Sequence, residues 1–470
     1  MDYDLILKDA KIVTASDQYI ADIGIINGKI AAISQELSAD SATSVIDVKQ
    51  AMVTPGGIDT HCHLSQPSAD GSVLADDFFT GSRSALCGGT TTVVPFALQA
   101  KGQSLKEAVE TYHKEADGQS CIDYGFHILI TDVNKDTLKE LPVLTEQGYT
   151  SFKIYMTYES MKLSDRNILD VMDQARNLGA ITMVHAENDD CISWLTDRLK
   201  EQGKTSPRFH CAAHTTIGER EATHRAISLS ELVDVPILLV HVSSREAIEQ
   251  IHWGRGNGLN IFSETCPQYL FLTAEDLGID DHFHGAKCVC SPPPRDKESQ
   301  EAVWAALANG TFSVFSSDHC PYNYDETGKL IHGEGASFDK IPNGIAGLET
   351  RLPLLMSEGV LKQRISPERF VELTSTTPAK LYGLYPQKGT IAIGSDADLV
   401  IWDTQNEKVI RNNDLHSEAD HTPYEGKSIR AWPEITISKG EIVYKAGQFL
   451  GEKGKGTFLR CALPFPPQVK

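Results

Sequence analysis

Short runs of alternating apolar and polar residues occur near both ends of the chain. In the N-terminal part, apolar runs around Leu5, Ile12 and Ile25 precede an Asn27-Gly28 pair. Asn-Gly between apolar runs favours a two-residue β-hairpin, because both central residues of a type I′ turn need a positive φ. Similar runs return after residue 385, at 389–394, 397–402, 434–438 and 441–444. Neither end alone can bury a sheet face, so we expect the two ends to pair into one β-sandwich.

The middle of the chain has a different pattern, in which continuous apolar runs alternate with helical periodicity. The helical spacing is clearest at 167–178, where apolar residues recur every three or four positions. The apolar runs lie at 51–58, 90–96, 123–130, 150–156, 180–184, 235–242, 259–263 and 312–316. Continuous apolar strands that each precede a helix indicate a parallel sheet buried on both faces, and eight in succession favour a closed barrel.

The predicted fold class is therefore α/β: a TIM (β/α)8 barrel with a smaller β-sandwich domain formed from the N- and C-terminal segments. We place the barrel domain at 54–384 and the composite sandwich domain at 1–53 and 385–470. In such barrels the chemistry occurs at the C-terminal ends of the strands. Candidate functional residues are therefore sought where each apolar run ends.

Charge excludes some classes of partner. The chain has 470 residues and a formal net charge of −21, from 43 Lys and Arg against 64 Asp and Glu. This balance argues against nucleic acid and anionic membrane as partners.

The N-terminal residues lack a basic signal-peptide region, and the longest apolar run, 236–240, is too short to cross a bilayer, so we expect a cytoplasmic protein. Its ten cysteines are expected to be reduced, with Cys288 and Cys290 interpreted as buried strand-end thiols rather than a metal clip.

The first barrel strand ends in a His-x-His pair, His61 and His63. Side chains two residues apart on a strand point to the same side, so both imidazoles should face the mouth of the barrel. Two such nitrogens can hold one metal ion. A His-x-His pair alone is a weak signal, and a structural histidine pair is the alternative.

Four other predicted strands also end in residues that can bind a metal ion: Lys153, His185, His241 and Asp318. Each has an ordinary structural alternative when taken singly. The histidines could be hydrogen-bonded core residues, the aspartate a helix N-cap and the lysine part of an ion pair. Their shared position at the ends of apolar strands, together with the His-x-His pair, favours a metal site.

Lys153 is the most informative of these residues, because it would be an uncompensated buried cation beside a metal ion. Burial lowers the pKa of a lysine, and the neutral amine can take up CO2 to become a carbamate with two oxygens that bridge two metal ions. Two divalent ions supply +4, and the carbamate, Asp318 and a bridging hydroxide remove 3, which leaves about +1 and acidifies bound water. Nitrogen and oxygen ligands fit Zn²⁺ best, with Mn²⁺ and Co²⁺ as alternatives.

Taken together, these motifs resemble the amidohydrolase superfamily, and within it the cyclic-amide branch of dihydropyrimidinases and hydantoinases. The resemblance covers nearly the whole chain. It rests on Thr54-Pro-Gly-Gly-Ile-Asp-Thr-His-Cys-His63, Gly88-Gly-Thr-Thr-Thr92, Phe152-Lys-Ile-Tyr-Met156, Val184-His-Ala-Glu187, Glu264-Thr-Cys-Pro267, Ser316-Ser-Asp-His319, Ile341-Pro-Asn-Gly344 and Gly394-Ser-Asp-Ala-Asp398. It implies two divalent metal ions per subunit, one among His61, His63, carboxylated Lys153 (N6-carboxylysine) and Asp318, the other among Lys153, His185 and His241.

The same resemblance implies roles for three further residues. Tyr158 would donate a hydrogen bond to the carbonyl oxygen as it becomes an oxyanion, with a loop tyrosine as the alternative. Ser291 and Asn343 would bind the amide edge of the ring, largely through main-chain groups, with ordinary turn residues as the alternative. In the implied reaction a bridging hydroxide attacks the ring carbonyl, and Asp318 delivers the proton to the leaving nitrogen. A 5,6-dihydropyrimidine or a 5-substituted hydantoin is thereby opened to an N-carbamoyl amino acid.

The segment after the His-x-His pair bears on the substrate. Dihydroorotase-like relatives carry an arginine there for a substrate carboxylate, whereas this chain has Leu-Ser-Gln, so we expect a small neutral cyclic amide or ureide. Leu64, Tyr155 and Met161 are the lid candidates, and 65–77 is a candidate mobile cover. Apolar lid residues suit a ring that bears hydrogen or a hydrophobic 5-substituent. Dihydrouracil, a substituted hydantoin and, as an allantoinase-type alternative, allantoin stay open as substrates.

Two other functional classes share this fold. Relatives that have lost the metal ligands act as non-catalytic cytoskeletal binding proteins, but all six ligand positions are filled here. A mononuclear deaminase on the same barrel would not need Lys153.

The resemblance also implies a homotetramer, with a dimer as the alternative. The Pro-rich tail after Phe449 is expected either to reach a neighbouring subunit or to fray.

Overall fold

The computed structural model describes residues 2–68, 70–280 and 282–468. Its strands are β1 (Tyr3–Val13), β2 (Gln18–Ile26), β3 (Lys29–Ser34), β4 (Ala42–Asp47), β5 (Met52–Pro55), β6 (Gly57–Asp59), β7 (Thr90–Val93), β8 (Phe96–Leu98), β9 (Asp123–Tyr124), β10 (His127–Leu129), β11 (Ser151–Tyr155), β12 (Ile181–His185), β13 (Ile237–Leu239), β14 (Ile261–Thr265), β15 (Val314–Phe315), β16 (Leu399–Asp403), β17 (Lys408–Val409), β18 (Ser428–Ile429), β19 (Trp432–Ser438), β20 (Glu441–Lys445) and β21 (Gln448–Phe449). Its α-helices are α1 (Phe78–Cys87), α2 (Leu105–Ala116), α3 (Lys135–Glu146), α4 (Asp165–Leu178), α5 (Asp189–Glu201), α6 (His210–Ala213), α7 (Thr216–Val233), α8 (Arg245–Gly256), α9 (Gln268–Phe271), α10 (Lys297–Ala308), α11 (Arg351–Leu355), α12 (Pro367–Val371) and α13 (Thr377–Leu381).

The barrel is built from two groups of parallel strands. One group has the order β15-β14-β13-β12-β11-β10-β8, and the other has the order β6-β7-β9. Pro95 separates β7 from β8, and a proline cannot donate to the ladder, so one barrel strand is divided into two short pieces. The ring closes between its first and last strands, where His63 N donates to His319 O at 2.7 Å and Ser317 N donates to Asp59 Oδ1 at 3.2 Å. The predicted barrel is confirmed, with its strands in the predicted order.

The helices cover the outside of the barrel, as the helical periodicity predicts. In α4, Ile168, Val171, Met172 and Ala175 are buried and form one apolar stripe. Its N-terminus is capped by the Ser164 side chain, and its C-terminus ends where Gly179 adopts a left-handed conformation with φ 73°. The helix therefore ends where the sequence pattern places it and begins two residues earlier, at Asp165.

Strands from the two chain ends share one nine-stranded sheet. Its order is β21-β20-β19-β16-β5-β1-β2-β3, and β4 also pairs with β1. The ends meet at β5, which is parallel to β1 and antiparallel to β16. The predicted hairpin joins β2 to β3 through Asn27 (φ 49°) and Gly28 (φ 74°). The pairing of the two ends is therefore confirmed, while the domain boundaries at 53/54 and 384/385 stay a prediction.

The C-terminal tail does not fray, and its expected contact with a neighbouring subunit stays a prediction. Its described part lies along the N-terminal face of this chain's own barrel. Leu459 N donates to Tyr124 O at 2.7 Å, and Cys461 N donates to Gly148 O at 3.1 Å. Further along, Phe465 N donates to Gly179 O at 3.4 Å. The tail up to residue 468 is held in place, because its backbone groups and apolar side chains find partners beneath the barrel. Residues 469 and 470 lie outside the described part.

The ten cysteines are free thiols. The interpretation of Cys288 and Cys290 as buried strand-end thiols is wrong in part. Cys288 ends a short 3₁₀ helix and is half-buried, whereas Cys290 is buried in the loop that follows. Among the described residues, no helix combines the length and the apolar character that a bilayer span requires.

Candidate functional site

A cavity of about 620 Å³ opens at the C-terminal ends of the barrel strands. Cavities of this size are typical of small-molecule sites. Most of the candidate residues line it: His61, His63, Tyr155, Tyr158, Met161, His185, His241, Ser291, Asp318 and Asn343. The sequence-predicted site is thus assembled in one place, from residues that are up to 282 positions apart (343 − 61).

Three side chains form a compact group at one end of this cavity. The Nε2 atoms of His61 and His63 lie 3.2 and 3.4 Å from Asp318 Oδ1. The other ring nitrogens are occupied, since His61 Nδ1 lies 2.6 Å from Glu264 Oε1 and His63 Nδ1 lies 2.8 Å from Gln66 Oε1. These bonds direct both Nε2 atoms toward Asp318. The three candidate ligand atoms lie within 4.8 Å of one another, so the group can hold a metal ion.

A second pair of imidazoles faces the same cavity. His241 Nε2 lies 2.9 Å from His185 Nδ1, and the two ring centres are 4.3 Å apart. His185 Nε2 donates to Glu187 Oε2 at 2.8 Å, which leaves Nδ1 for the cavity. Glu187 is buried and also accepts from His214 Nδ1 at 2.9 Å. A carboxylate that fixes the ring orientation is the usual partner of a metal-binding histidine.

Lys153 is fully buried between these two groups. Its Nζ lies 5.2 Å from the centre of the Phe96 ring and 5.0 Å from that of Tyr155. Among the described residues, Nζ has no hydrogen-bond partner. Burial lowers the pKa of this amine to about 8. A buried polar atom without a partner is costly, so the amine position is suited to a group that the polypeptide itself does not supply.

The protonation states around the cavity fit metal ligands. Burial holds the pKa values of His61 and His241 well below the usual value, so both rings are neutral at neutral pH. Burial acts to raise the pKa of Asp318, but His61, His63 and Lys153 outweigh it and leave that pKa lowered. Neutral imidazoles and an ionised carboxylate are the forms that bind a divalent ion.

Three site residues adopt a backbone conformation that side chains other than glycine seldom take. The φ angles of Tyr158, His241 and Asp318 are 65°, 39° and 49°. Such conformations cost about 1–3 kcal/mol each and are found mainly where function constrains the backbone. All three lie where the chain turns away from a barrel strand, so each side chain is aimed into the cavity at the expense of local strain.

Two of the three residues given substrate roles, Tyr158 and Ser291, lie close to the second imidazole pair, and Asn343 lines the same cavity. The Tyr158 ring centre is 5.6 Å from that of His185, and its hydroxyl hydrogen-bonds with Ser291. Burial raises the pKa of Tyr158 well above its usual value, so the hydroxyl stays protonated and can donate. Ser291 Oγ donates to Glu187 Oε2 at 2.5 Å, and the buried Asn343 Oδ1 has no partner within the described chain.

The structure brings two of the three lid candidates to the cavity. Tyr155 and Met161 line it, but Leu64 is fully buried in the main apolar core. A Cβ on Gly81 would lie 2.3 Å from Leu64 Cδ2, so this leucine packs tightly on α1. The lid prediction for Leu64 is therefore wrong, because its side chain points away from the cavity and into the core.

Part of the candidate cover at 65–77 is held in place. Val73 N donates to Thr327 O at 2.9 Å, and Ala75 N donates to Pro321 O at 2.8 Å. Residues 66–68 and 70 line the cavity, and Ala69 lies outside the described residues.

Sequence reasoning missed four residues that support the site. Glu187 and Glu264 hold His185 and His61, and Gln66 holds His63. Glu187 stands two residues after His185 in a quoted motif, where a carboxylate near a ligand histidine is a usable signal, whereas the motif of Glu264 contains no histidine. Lys329 is buried and donates from Nζ to Val289 O at 2.8 Å and to Pro342 O at 2.6 Å. No local pattern marks it.

Comparison with known proteins agrees with this geometry. A model of the Amidohydrolase family matches residues 52–443. D-hydantoinase of Streptomyces coelicolor is 42% identical over 96% of this chain and 97% of its own length, and D-hydantoinase of Geobacillus stearothermophilus is 44% identical over 97% and 96%. The crystal structure of dihydropyrimidinase from Brevibacillus agri matches with a TM-score of 0.94 at 42% identity, over 97% of this chain and 98% of that one. This chain therefore belongs to the amidohydrolase family, whose metal dependence accords with the His61–His63–Asp318 group.

Proposed function

We propose that the chain hydrolyses a ring amide bond of a small neutral cyclic amide, either a 5-substituted hydantoin or a 5,6-dihydropyrimidine. The product is an N-carbamoyl amino acid. One observation carries the proposal: six side chains suited to a two-metal centre meet at the C-terminal end of one barrel, namely His61, His63, Lys153, His185, His241 and Asp318. The D-hydantoinase names of relatives at 42% and 44% identity support this reaction class.

The proposed centre holds two divalent metal ions, Zn²⁺ first and Mn²⁺ or Co²⁺ as alternatives. Lys153 would react with CO2 to give a carbamate and release one proton, and the carbamate would be shared by both ions. The buried, unpartnered amine supports this assignment. His61, His63 and Asp318 would complete one side of the centre, and His185 and His241 the other. When bound, such ions lower the pKa of water and polarise a carbonyl oxygen.

The chain's own residues would then guide the addition of water across the bond between carbonyl carbon and ring nitrogen. Tyr158 is a protonated donor at the cavity wall and would stabilise the carbonyl oxygen as negative charge develops on it. Asp318 would accept the proton of the attacking water and deliver it to the leaving ring nitrogen. Its lowered pKa keeps it ionised and ready to accept. Main-chain groups at Ser291 and Asn343 would hold the amide edge of the ring.

The cavity lining supports a neutral substrate. Among the described residues that line it, none is an arginine, so the bidentate grip that a guanidinium gives a substrate carboxylate is absent, and the two lysines of the lining, Lys101 and Lys340, are accompanied by Asp70 and Asp339. Apolar side chains of Leu98, Met161 and Ile341 face the same space and would contact a hydrophobic 5-substituent.

The proposal extends to assembly and location. A homotetramer, with a dimer as the alternative, would cover apolar side chains that stand exposed in the single chain, such as Trp194 on α5 and Leu232 on α7. Light scattering of the purified protein measures the oligomeric state directly.

A cytoplasmic location accords with the acidic composition and is tested by cell fractionation.

A substrate panel tests the proposed function. The purified protein is assayed on dihydrouracil, 5-substituted hydantoins, allantoin and dihydroorotate, with Zn²⁺ and with Mn²⁺, and its metal content is measured. We expect about two ions per chain at this centre and turnover of a hydantoin or dihydrouracil with none of dihydroorotate. Protein that binds no metal and opens none of these rings would refute the proposal and favour a non-catalytic binding role.

A further inference from the structure

A second cluster of metal-binding side chains lies apart from the cavity, on the side of the barrel that faces the C-terminal sheet. It consists of Cys87, Glu349 and His416, and the candidate ligand atoms lie within 4.8 Å of one another. None of the three lines the cavity. They come from three segments distant in sequence: the last residue of α1, the loop before α11 and the loop after β17.

The backbone brings these segments together closely. A Cβ added to Gly88 would lie 2.2 Å from Glu349 O, so the glycine next to Cys87 lets the Glu349 backbone approach the end of α1. Glu349 Oε1 then lies 2.9 Å from His416 Nδ1, and Oε2 accepts from His416 N at 2.7 Å. Arg83 Nε donates to His416 O at 2.9 Å, which fixes the histidine from the other side. The cluster is thus held by α1 as well as by its own side chains.

We propose that Cys87, Glu349 and His416 bind a divalent ion of intermediate softness, with Zn²⁺ as the natural candidate. In tetrahedral zinc sites the bond lengths imply ligand atoms about 3.3–3.8 Å apart, so these atoms need to move by little. Sulfur, nitrogen and carboxylate oxygen are also the donor set that zinc prefers. With three protein ligands, the fourth position is filled by water.

Access is consistent with such a site, and binding there requires the Cys87 thiol to lose its proton. Cys87 is fully buried, and burial with nearby Glu349 raises the pKa of its thiol well above the usual value. An ion that binds there displaces the thiol proton to solvent, one proton per ion, and the new sulfur–metal bond stabilises the thiolate. The side chain of His416 is 21% exposed, which gives an ion a route from solvent. Without an ion, Glu349 accepts hydrogen bonds from Ser84 Oγ at 3.3 Å and from His416, and Lys408 is a positively charged neighbour.

Cobalt gives a direct readout, because thiolate ligation of Co²⁺ produces a strong near-ultraviolet absorption that oxygen and nitrogen ligands do not. The full chain is stripped with a chelator, reloaded with Co²⁺, and its spectrum and metal content are recorded beside those of Cys87→Ser. We expect the thiolate absorption in the wild type, its loss in Cys87→Ser, and one fewer ion per chain in that variant. The control is Cys320→Ser, which removes a thiol at the main cavity and should keep the absorption.

His416→Ala gives an independent arm, and its Tm is measured beside that of the wild type, because the substitution also removes the partner of the buried Glu349 Oε1. It should also lose one ion per chain. The proposal would be overturned by a wild-type protein without thiolate absorption, or by equal metal content in the wild type and both variants. The three residues would then be a hydrogen-bonded contact between α1 and the two loops. Because the readout is thiolate ligation, failure of the proposed hydrolase function would not change its interpretation.

Discussion

His185 and Glu187 are joined by a hydrogen bond of 2.8 Å between Nε2 and Oε2, just past the end of β12. The bond fixes which ring nitrogen of His185 faces His241 and the cavity. The same carboxylate accepts from Ser291 Oγ, and Ser291 in turn hydrogen-bonds with Tyr158. One buried carboxylate therefore links a candidate metal ligand to the residues expected to hold the substrate.

Replacement of Glu187 tests this link. In Glu187→Ala the imidazole of His185 loses its acceptor, so we expect metal affinity to fall by about 10- to 100-fold. Glu187→Gln keeps an acceptor oxygen but loses the charge, and its loss should be smaller. A chelator-competition titration measures both. Glu159→Gln, an exposed glutamate near the same cavity, is the control and should bind like the wild type. Equal affinities in Glu187→Ala and the wild type would contradict the assignment.

Asp318 is the proposed proton carrier, and its lowered pKa keeps the carboxylate ionised at neutral pH. Asp318→Asn retains the shape and the ligand oxygen but cannot accept a proton. We expect a loss of about 10²- to 10⁴-fold in kcat, with the far-ultraviolet circular dichroism and the Tm close to wild type. Asp318→Ala should abolish turnover. An unaltered rate in Asp318→Ala would remove this residue from the mechanism.

Lys153→Ala tests the carbamate. The substitution removes the bridging oxygens and leaves space beside the rings of Phe96 and Tyr155. Activity and the second metal equivalent should both be lost, and short carboxylic acids such as acetate or propionate should restore part of each by placing a carboxylate in the space. The same acids added to the wild type are the control and should not activate it. Full activity of Lys153→Ala without added acid would exclude a bridging role.

The sequence predicts the barrel and the strand-end residues because both depend on local patterns. Apolar β-branched runs identify the strands, and each candidate ligand lies within such a run or shortly after it. The supporting residues depend instead on contacts between distant segments. His61 and Glu264 are 203 positions apart, and nothing near Glu264 indicates which histidine it will hold. A glutamate close in sequence to a ligand histidine, such as Glu187 near His185, suggests a supporting role. The contacts in the structure are needed to show which ring nitrogen it holds.

The failures have the same physical origin. Leu64 follows a predicted ligand and is apolar, which suits a lid as well as a core residue, and only packing against Gly81 on α1 distinguishes the two. The tail after Phe449 is Pro-rich and reads as extended, but a local pattern does not reveal that the N-terminal face of the barrel offers free backbone partners at Tyr124 and Gly148. The position of an extended segment is determined by the surface against which it packs, and its own sequence does not specify that surface.

Lys329 joins two loops that carry proposed substrate contacts. Its buried Nζ donates to Val289 O and Pro342 O, close in sequence to Ser291 and Asn343. Lys329→Met would leave both carbonyls without this donor and loosen the two loops relative to each other. We expect KM to rise about tenfold, or ~1.4 kcal/mol, with a smaller change in kcat. A merely structural role would instead lower the Tm and leave KM unchanged.

The matched control for Lys329 is Lys204→Met. Lys204 is exposed and donates to Gln202 in its own segment, so KM should stay at the wild-type value. If Lys329→Met folds with an unchanged KM, the loops are positioned by other contacts.

The C-terminal tail offers a test of stability that is separate from the site, because it lies on the opposite face of the barrel. Leu459 is buried in an apolar cluster beneath the strands, whereas Leu463 is 40% exposed. Leu459→Ala should cost about 2–5 kcal/mol of unfolding free energy, since it removes buried methyl groups and leaves a cavity. Leu463→Ala, the same substitution at an exposed position, should stay within about 0.5 kcal/mol of the wild type.

Denaturant unfolding measures the stability of both variants, and KM should be unaffected in either one, because neither side chain reaches the cavity. Equal stabilities of the two variants would mean that the tail contributes little to the fold, and its hydrogen bonds to Tyr124 and Gly148 would then be incidental to a barrel already stable without them.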